Sequence, residues 1–212
     1  MAEFIAAVRA RKAMAALALE LLILSNVRTN AVLQARWPEF DLDKMLWNVP
    51  LVNLKDREHR KERFEVPPAP RVIDIVKEME KAPRLDLRLP WPEERPAAIQ
   101  HGFSDAPQAH EHHAAGRAAR AGRQAKWHDP ASGHAINAHG FRATFKTWAE
   151  EVVTFPHAVI EHAMGHKVGG KVERAYIRTT LLEMRRKLMD AWAAYCEPPS
   201  SVEKVTPLRK IA

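Results

Sequence analysis

The stretch Ala138-His-Gly-Phe-Arg-Ala-Thr-Phe145 decides how this chain is read. Continued to Val152, it has the spacing of an amphipathic helix, with Phe141, Phe145 and Trp148 recurring every three or four residues. His139 and Arg142 are three apart, so they share one face at the first turn. A helix N-terminus carries partial positive charge, which favours an anion at that place. Arginine adds a planar fork that holds two phosphate oxygens and stays charged, and histidine titrates near neutrality and can move protons. Further along come Met164-Gly-His166 and Glu173-Arg-Ala-Tyr176, the second offering a phenol that can attack phosphorus and stay attached.

Working outward, the last third reads as helices over 139–152, 156–164 and 181–196, with a short helical piece over 172–176. Pro198 and Pro199 end the last helix, and 197–212 is expected to be a flexible tail. Upstream, residues 2–25 read as one helix. A second helix runs from near Arg28 to Trp37, where Pro38 breaks it. Apolar and polar residues alternate around Asp41 and Asp43, giving a β-hairpin over 40–49, and Phe64-Glu-Val66 is another short strand. Pro70 opens a helix through Lys81 that buries Val72, Ile73, Ile75, Val76 and Met79. The fold class is therefore mainly α with a small antiparallel β-sheet (α+β).

The 212 residues suffice for one domain with a real core. The net charge of +7 favours polyanionic partners, nucleic acid before anionic membrane. The single cysteine, Cys196, excludes an internal disulfide and fits a reducing cytosol. The apolar run Met14 to Leu24 follows Arg9, Arg11 and Lys12 as a signal peptide would, but Glu20 interrupts it and it is too short to span a bilayer, so it reads as a buried helix. His110, His112 and His113 have no cysteine and no regular frame to fix them, and no metal is expected there.

Arg28 after Leu-Ile-Leu-Ser-Asn-Val, then Lys55, His139-Gly-Phe-Arg142, Met164-Gly-His166 and Glu173-Arg-Ala-Tyr176, resembles the catalytic domain of the tyrosine recombinases. Ala35-Arg-Trp37 with Asp41-Leu-Asp43, Ala138 to Phe145, and Arg185-Arg-Lys-Leu-Met-Asp-Ala-Trp192 are similar to the integrases of prophages and genomic islands. The resemblance covers roughly residues 3–81 and 126–196, and it implies an integrase-like catalytic domain over 1–196. It also implies roles. Arg28 and Arg142 clamp the phosphate, and Lys55, with Lys61 as its neighbouring alternative, protonates the leaving 5′ oxygen. His139 assists proton transfer, His166 holds the phosphate or positions the tyrosine, and Tyr176 is the nucleophile. Neither metal nor other cofactor is implied. The partner would be double-stranded DNA bound by a homo-tetramer, in the bacterial cytoplasm at the nucleoid and away from membranes. Tyr195, the other tyrosine, reads as structural.

Three features depart from that pattern. Ala31 stands where the family carries an acidic residue three positions after the first arginine. The chain begins almost at the catalytic domain, so the upstream DNA-gripping domain is expected to be absent. Residues 83–124 lack the strand, the Pro-Leu-Ser-type turn and the helix anticipated there. Read one base later, codons for Pro90-Trp-Pro-Glu-Glu-Arg-Pro-Ala-Ala-Ile-Gln-His-Gly102 permit Pro-Gly-Leu-Lys-Lys-Gly-Arg-Pro-Leu-Ser-Asn-Met-Ala, which restores the turn. A frameshift entered near Pro83 and left before Lys126 is the expectation, with a poorly ordered middle. Two other readings stand beside the recombinase: a non-catalytic DNA-binding remnant of an integrase, and a basic helical module for an acidic protein partner.

Overall fold

A computed structural model describes residues 1–55, 58, 63–81, 127–128, 133, 136–166 and 181–199. The expectations for 83–124, for the helical piece at 172–176 that holds Tyr176, for Lys61, for the three histidines near 110 and for the tail from 200 onward lie outside these residues.

The first 25 residues form two helices, α1 (Ala2–Arg9) and α2 (Met14–Ser25), where the composition reads as one. Ala13 takes an extended backbone (φ −135°, ψ 144°) and breaks the run. A continuous helix of that length would span roughly 36 Å at 1.5 Å per residue. The break instead lets Phe4, Ile5 and Val8 of α1 join the same core that α2 fills.

α2 is apolar on all sides, as a helix at the centre of a core must be. Its one charge, Glu20, is 1% exposed. Arg9 Nε donates to Glu20 Oε1 at 2.7 Å, and Arg71 donates to its two oxygens at 2.9 Å each. The carboxylate thus joins α1, α2 and α4 (Pro70–Glu80), and burial without those partners would be costly.

Asn26, in the left-handed region at φ 52°, ends α2. α3 then covers only Thr29–Leu33, shorter than the span to Trp37, and Pro38 sits inside a separate 3₁₀ turn, Trp37–Glu39, where its missing N–H costs nothing. The sheet is antiparallel in the order β1 (Phe40–Asp41), β2 (Leu46–Val49), β3 (Phe64–Val66). Phe40 pairs with Trp47, and Trp47 pairs in turn with Val66. The Trp47 ring stacks on Phe40 at 4.9 Å and its Nε1 donates to Glu39 Oε2 at 2.9 Å.

Three helices of the last third complete the described core: α5 (Gly140–Glu151), α6 (His157–Ala163) and α7 (Leu182–Cys196). The α7 residue Trp192 is fully buried against Phe145 and Trp148 of α5, and its Nε1 donates to the Ile23 carbonyl at 2.9 Å. Tyr195 stacks on both tryptophans, yet 45% of it is exposed, so it is an edge of the core and not its interior. Arg185 is 2% exposed, lies 5.7 Å over the Phe64 ring and donates to the Glu65 carbonyl at 2.8 Å. It ties the last helix to the strand that forms one wall of the site below. Among the described residues no helix is long and apolar enough to cross a membrane.

Candidate active site

Arg142 stands in the first turn of α5, a turn begun by Asn137, whose side-chain oxygen accepts the Gly140 N–H at 2.9 Å. His139 and Arg142 share that turn but not its surroundings. His139 is exposed, whereas Arg142 turns inward and is 6% exposed.

The guanidinium enters where two helices end. Its Nη1 donates to the Asn26 carbonyl at the end of α2, and its Nη2 donates to the Met164 carbonyl at the end of α6 at 2.8 Å. Helix C-termini present unsatisfied carbonyls and partial negative charge, so a cation belongs there. Nη2 also lies 3.3 Å from Nε2 of His166. Among the described residues, three of the five N–H donors of this arginine are thereby used.

Arg28 comes from the other half of the chain. It is the residue before α3, half-buried, with an extended backbone. Burial pushes the Arg142 guanidinium down to about 10, the positive charge of Arg28 adds to that fall, and Glu161 opposes it. At about 10, Arg142 is still charged at neutral pH. The Arg28 side chain makes no hydrogen bond among the described residues. It lines a cleft with Val27, Ala31, Leu54, Phe64, Met164 and Gly165. Ala31 is 1% exposed, so the place where a carboxylate would orient Arg28 holds a methyl group instead.

Gly165 sets the position of His166. Its N–H bonds to the His162 carbonyl at 3.0 Å, and the His166 N–H bonds to the Glu161 carbonyl at 2.9 Å, the paired reversal that ends a helix at a left-handed residue. Gly165 has φ +66°, and a Cβ there would meet the Phe64 ring at 3.3 Å. Backbone conformation and close packing both ask for glycine at this point.

The same reversal brings Glu161 alongside His166. Oε2 of Glu161 lies 2.8 Å from Nδ1 of His166, and Oε1 accepts from Lys146 Nζ at 2.7 Å. Burial pushes the Glu161 carboxyl up, but the hydrogen bonds from Lys146 and His166 outweigh it and hold the group below the usual range. Glu150, His157 and Glu161 also place ligand atoms within 4.8 Å of one another. The Lys146 ammonium, 3.7 Å from Glu150 and 2.7 Å from Glu161, already supplies positive charge to those carboxylates.

Of the six residues singled out from sequence, Arg28, Arg142 and His166 come together. Lys55 is exposed, one residue beyond Leu54 of the cleft wall, and makes no hydrogen bond or ion pair among the described residues. His139 reaches the same helix end from the solvent side. Tyr176 lies outside the described residues. The sequence reading did not pick out Glu161 or Lys146. A signal for the first was present: a helix ending on Met164-Gly165 folds residue 166 back beside residue 161.

No protein-family model matches this chain, and no solved structure matches it. It is similar to a protein named Integrase from Enterobacteria phage P4, with 28% identity over 206 residues. The match covers 92% of this chain and 43% of that protein, so the chain spans less than half the length of the curated relative it matches.

Proposed function

We propose that this chain is the strand-cleaving domain of a site-specific DNA recombinase of the tyrosine type, acting in DNA integration. The observation that carries the proposal is the approach of Arg28 to Arg142 across 114 positions of sequence, close enough for the Arg28 charge to act on Arg142. Like charges at a cleft repel, and a phosphate between them removes the repulsion while receiving two guanidinium forks. Similarity to the phage integrase, the net charge of +7 and the ordered series of site residues all support the same reading.

In this chemistry Tyr176 Oη attacks the scissile phosphorus. The P–O5′ bond breaks as the phosphotyrosyl bond forms, giving a 3′-phosphotyrosyl link and a free 5′-hydroxyl. Arg28 and Arg142 stabilise the negative charge of the pentavalent transition state. Lys55 delivers the proton to the departing 5′ oxygen, and His139 takes up the proton of the phenol. Attack by another 5′-hydroxyl reverses the step with no external energy source. The working unit would be a homo-tetramer on two DNA duplexes in the bacterial cytoplasm.

A double-stranded substrate nicked beside the cleavage position tests this, because the released 5′ fragment diffuses away and traps the covalent complex. The full chain is expected to give a protein–DNA adduct that Tyr176→Phe abolishes. Ala31, with no carboxylate to orient Arg28, favours a second reading, a DNA-binding remnant without chemistry. That reading predicts salt-sensitive DNA binding with no adduct. Absence of any binding would point instead to a protein-interaction module.

A further inference from the structure

Glu161 offers both of its oxygens as acceptors, one to Lys146 Nζ at 2.7 Å and one to His166 Nδ1 at 2.8 Å. On the far side of the ring, His166 Nε2 faces Arg142 Nη2 at 3.3 Å. A guanidinium has only N–H groups to offer, so Nε2 must present its lone pair. The ring proton therefore sits on Nδ1, where the carboxylate receives it. A proton on Nε2 would set N–H against N–H and push the guanidinium away.

Building on the strand-cleaving reading, we infer that Glu161 is a positioning residue that fixes the Nδ1–H tautomer of His166 and, through it, the plane of the Arg142 guanidinium. Lys146 holds the carboxylate from the other side. The chain of contacts runs from Lys146 on α5 to Glu161 on α6, across the helix-ending turn to His166, and back to Arg142 on α5. It closes on the helix it started from, so the guanidinium is fixed by its own helix, by two carbonyls and by this loop of side chains. With the Asn26 and Met164 carbonyls fixed as acceptors, the ring holds the third contact of the fork and so sets its plane. Only a carboxylate can serve this place. The amide of glutamine has a single acceptor, which the charged Lys146 would claim. Its NH₂ would then face Nδ1, forcing the ring proton to Nε2 and into conflict with Arg142.

The full chain with ¹⁵N-labelled histidine, its His166 signals assigned with His166→Gln, reports the tautomer directly by NMR. The parent chain should carry the proton on Nδ1. Glu161→Gln should move it to Nε2, and Glu161→Gln combined with Lys146→Met, which frees the amide oxygen, should return it to Nδ1. On the nicked DNA substrate Glu161→Gln should slow adduct formation by about tenfold or more, and the double variant should recover part of that loss. A parent His166 with its proton on Nε2 would overturn the inference, even if Glu161→Gln fails to fold. So would an unchanged tautomer in Glu161→Gln, or a switched tautomer with adduct formation at the parent rate. A tautomer that switches as expected in a chain that forms no adduct would instead defeat the strand-cleaving reading and leave the positioning of Arg142 standing.

Discussion

Arg142 concentrates structure and chemistry in one side chain, and the two can be separated by substitution. Its planar fork spans two helix-end carbonyls and the ring of His166. Lysine keeps the charge but brings it as a point on a flexible stem, so it cannot hold those partners in one plane. Arg142→Lys should lower stability by about 1–3 kcal/mol as at least one buried carbonyl loses its donor. Adduct formation should fall on the order of a hundredfold or more, as when one preorganised donor to a developing negative charge is removed. Urea unfolding and the nicked-substrate assay read the two effects separately. A variant with parent stability and parent rate would show that the fork geometry is dispensable. Glu161 adds a pH dependence. Its folded-state value lies below that of an ordinary glutamate, held there by Lys146 and His166 against the effect of burial. The unfolded chain therefore binds more protons, and the resulting stability is fully present above about pH 4.3. It is lost as pH falls through the folded value. Glu161→Gln has no such proton to take up, so its urea midpoint should fall less steeply than that of the parent below about pH 4. Parallel curves would show that the contacts to Lys146 and His166 do not survive in solution.

Elements show where sequence reading succeeds and where it stops. The helices at 140–151 and 182–196 were legible because their apolar residues recur at helical spacing and a glycine or prolines mark their ends. The break between α1 and α2 was not, since Ala10-Arg-Lys-Ala13 is made of good helix formers and holds no glycine or proline to mark it. What decides the break is tertiary: two short helices can both cover the core where one long helix would overshoot it. Arg28, Arg142 and His166 were legible through their ordered motifs. Lys146 was not, because it reaches Glu161 across 15 residues and a chain reversal that no local pattern encodes. The end of α6 offers a direct test of how an element aims a side chain. Gly165→Ala places a Cβ on a left-handed backbone and 3.3 Å from the Phe64 ring. The backbone contribution alone should cost about 1–2 kcal/mol, visible as a lower urea midpoint. Because Arg185 packs on the other partner of this contact, Phe64, the ring has little room to yield, and the displaced turn should also carry His166 away from Arg142. A Gly165→Ala chain with unchanged midpoint and unchanged His166 NMR signals would mean that the turn is not what positions the ring.

At the scale of the whole molecule, the described core is one body drawn from both ends of the chain, running from Phe4 to Cys196. α7 closes it: Trp192 bonds to the Ile23 carbonyl and packs on α5, and Arg9 grips Glu197 with two hydrogen bonds at 2.6 and 2.9 Å just past the last turn. Burying a tryptophan removes 150–250 Å² from water, worth roughly 4–6 kcal/mol before entropy is charged. α7 should therefore not fray independently of the rest, and Cys196 makes this measurable. It is the single cysteine and is fully buried, and burial pushes its thiol up to about 12. Thiolate is the reactive form, so the native chain is protected both by access and by charge state, while an unfolded cysteine, near pKa 8.5, reacts readily at pH 8. Labelling with a thiol reagent should be slower in the native chain by on the order of a thousandfold or more. Its denaturant dependence should follow the unfolding curve measured by far-UV circular dichroism, because opening Cys196 requires opening the shared core. Fast labelling without denaturant, at a rate indifferent to urea, would show that α7 detaches by itself. The site that depends on Arg185 and Phe64 would then be assembled only while that helix is docked.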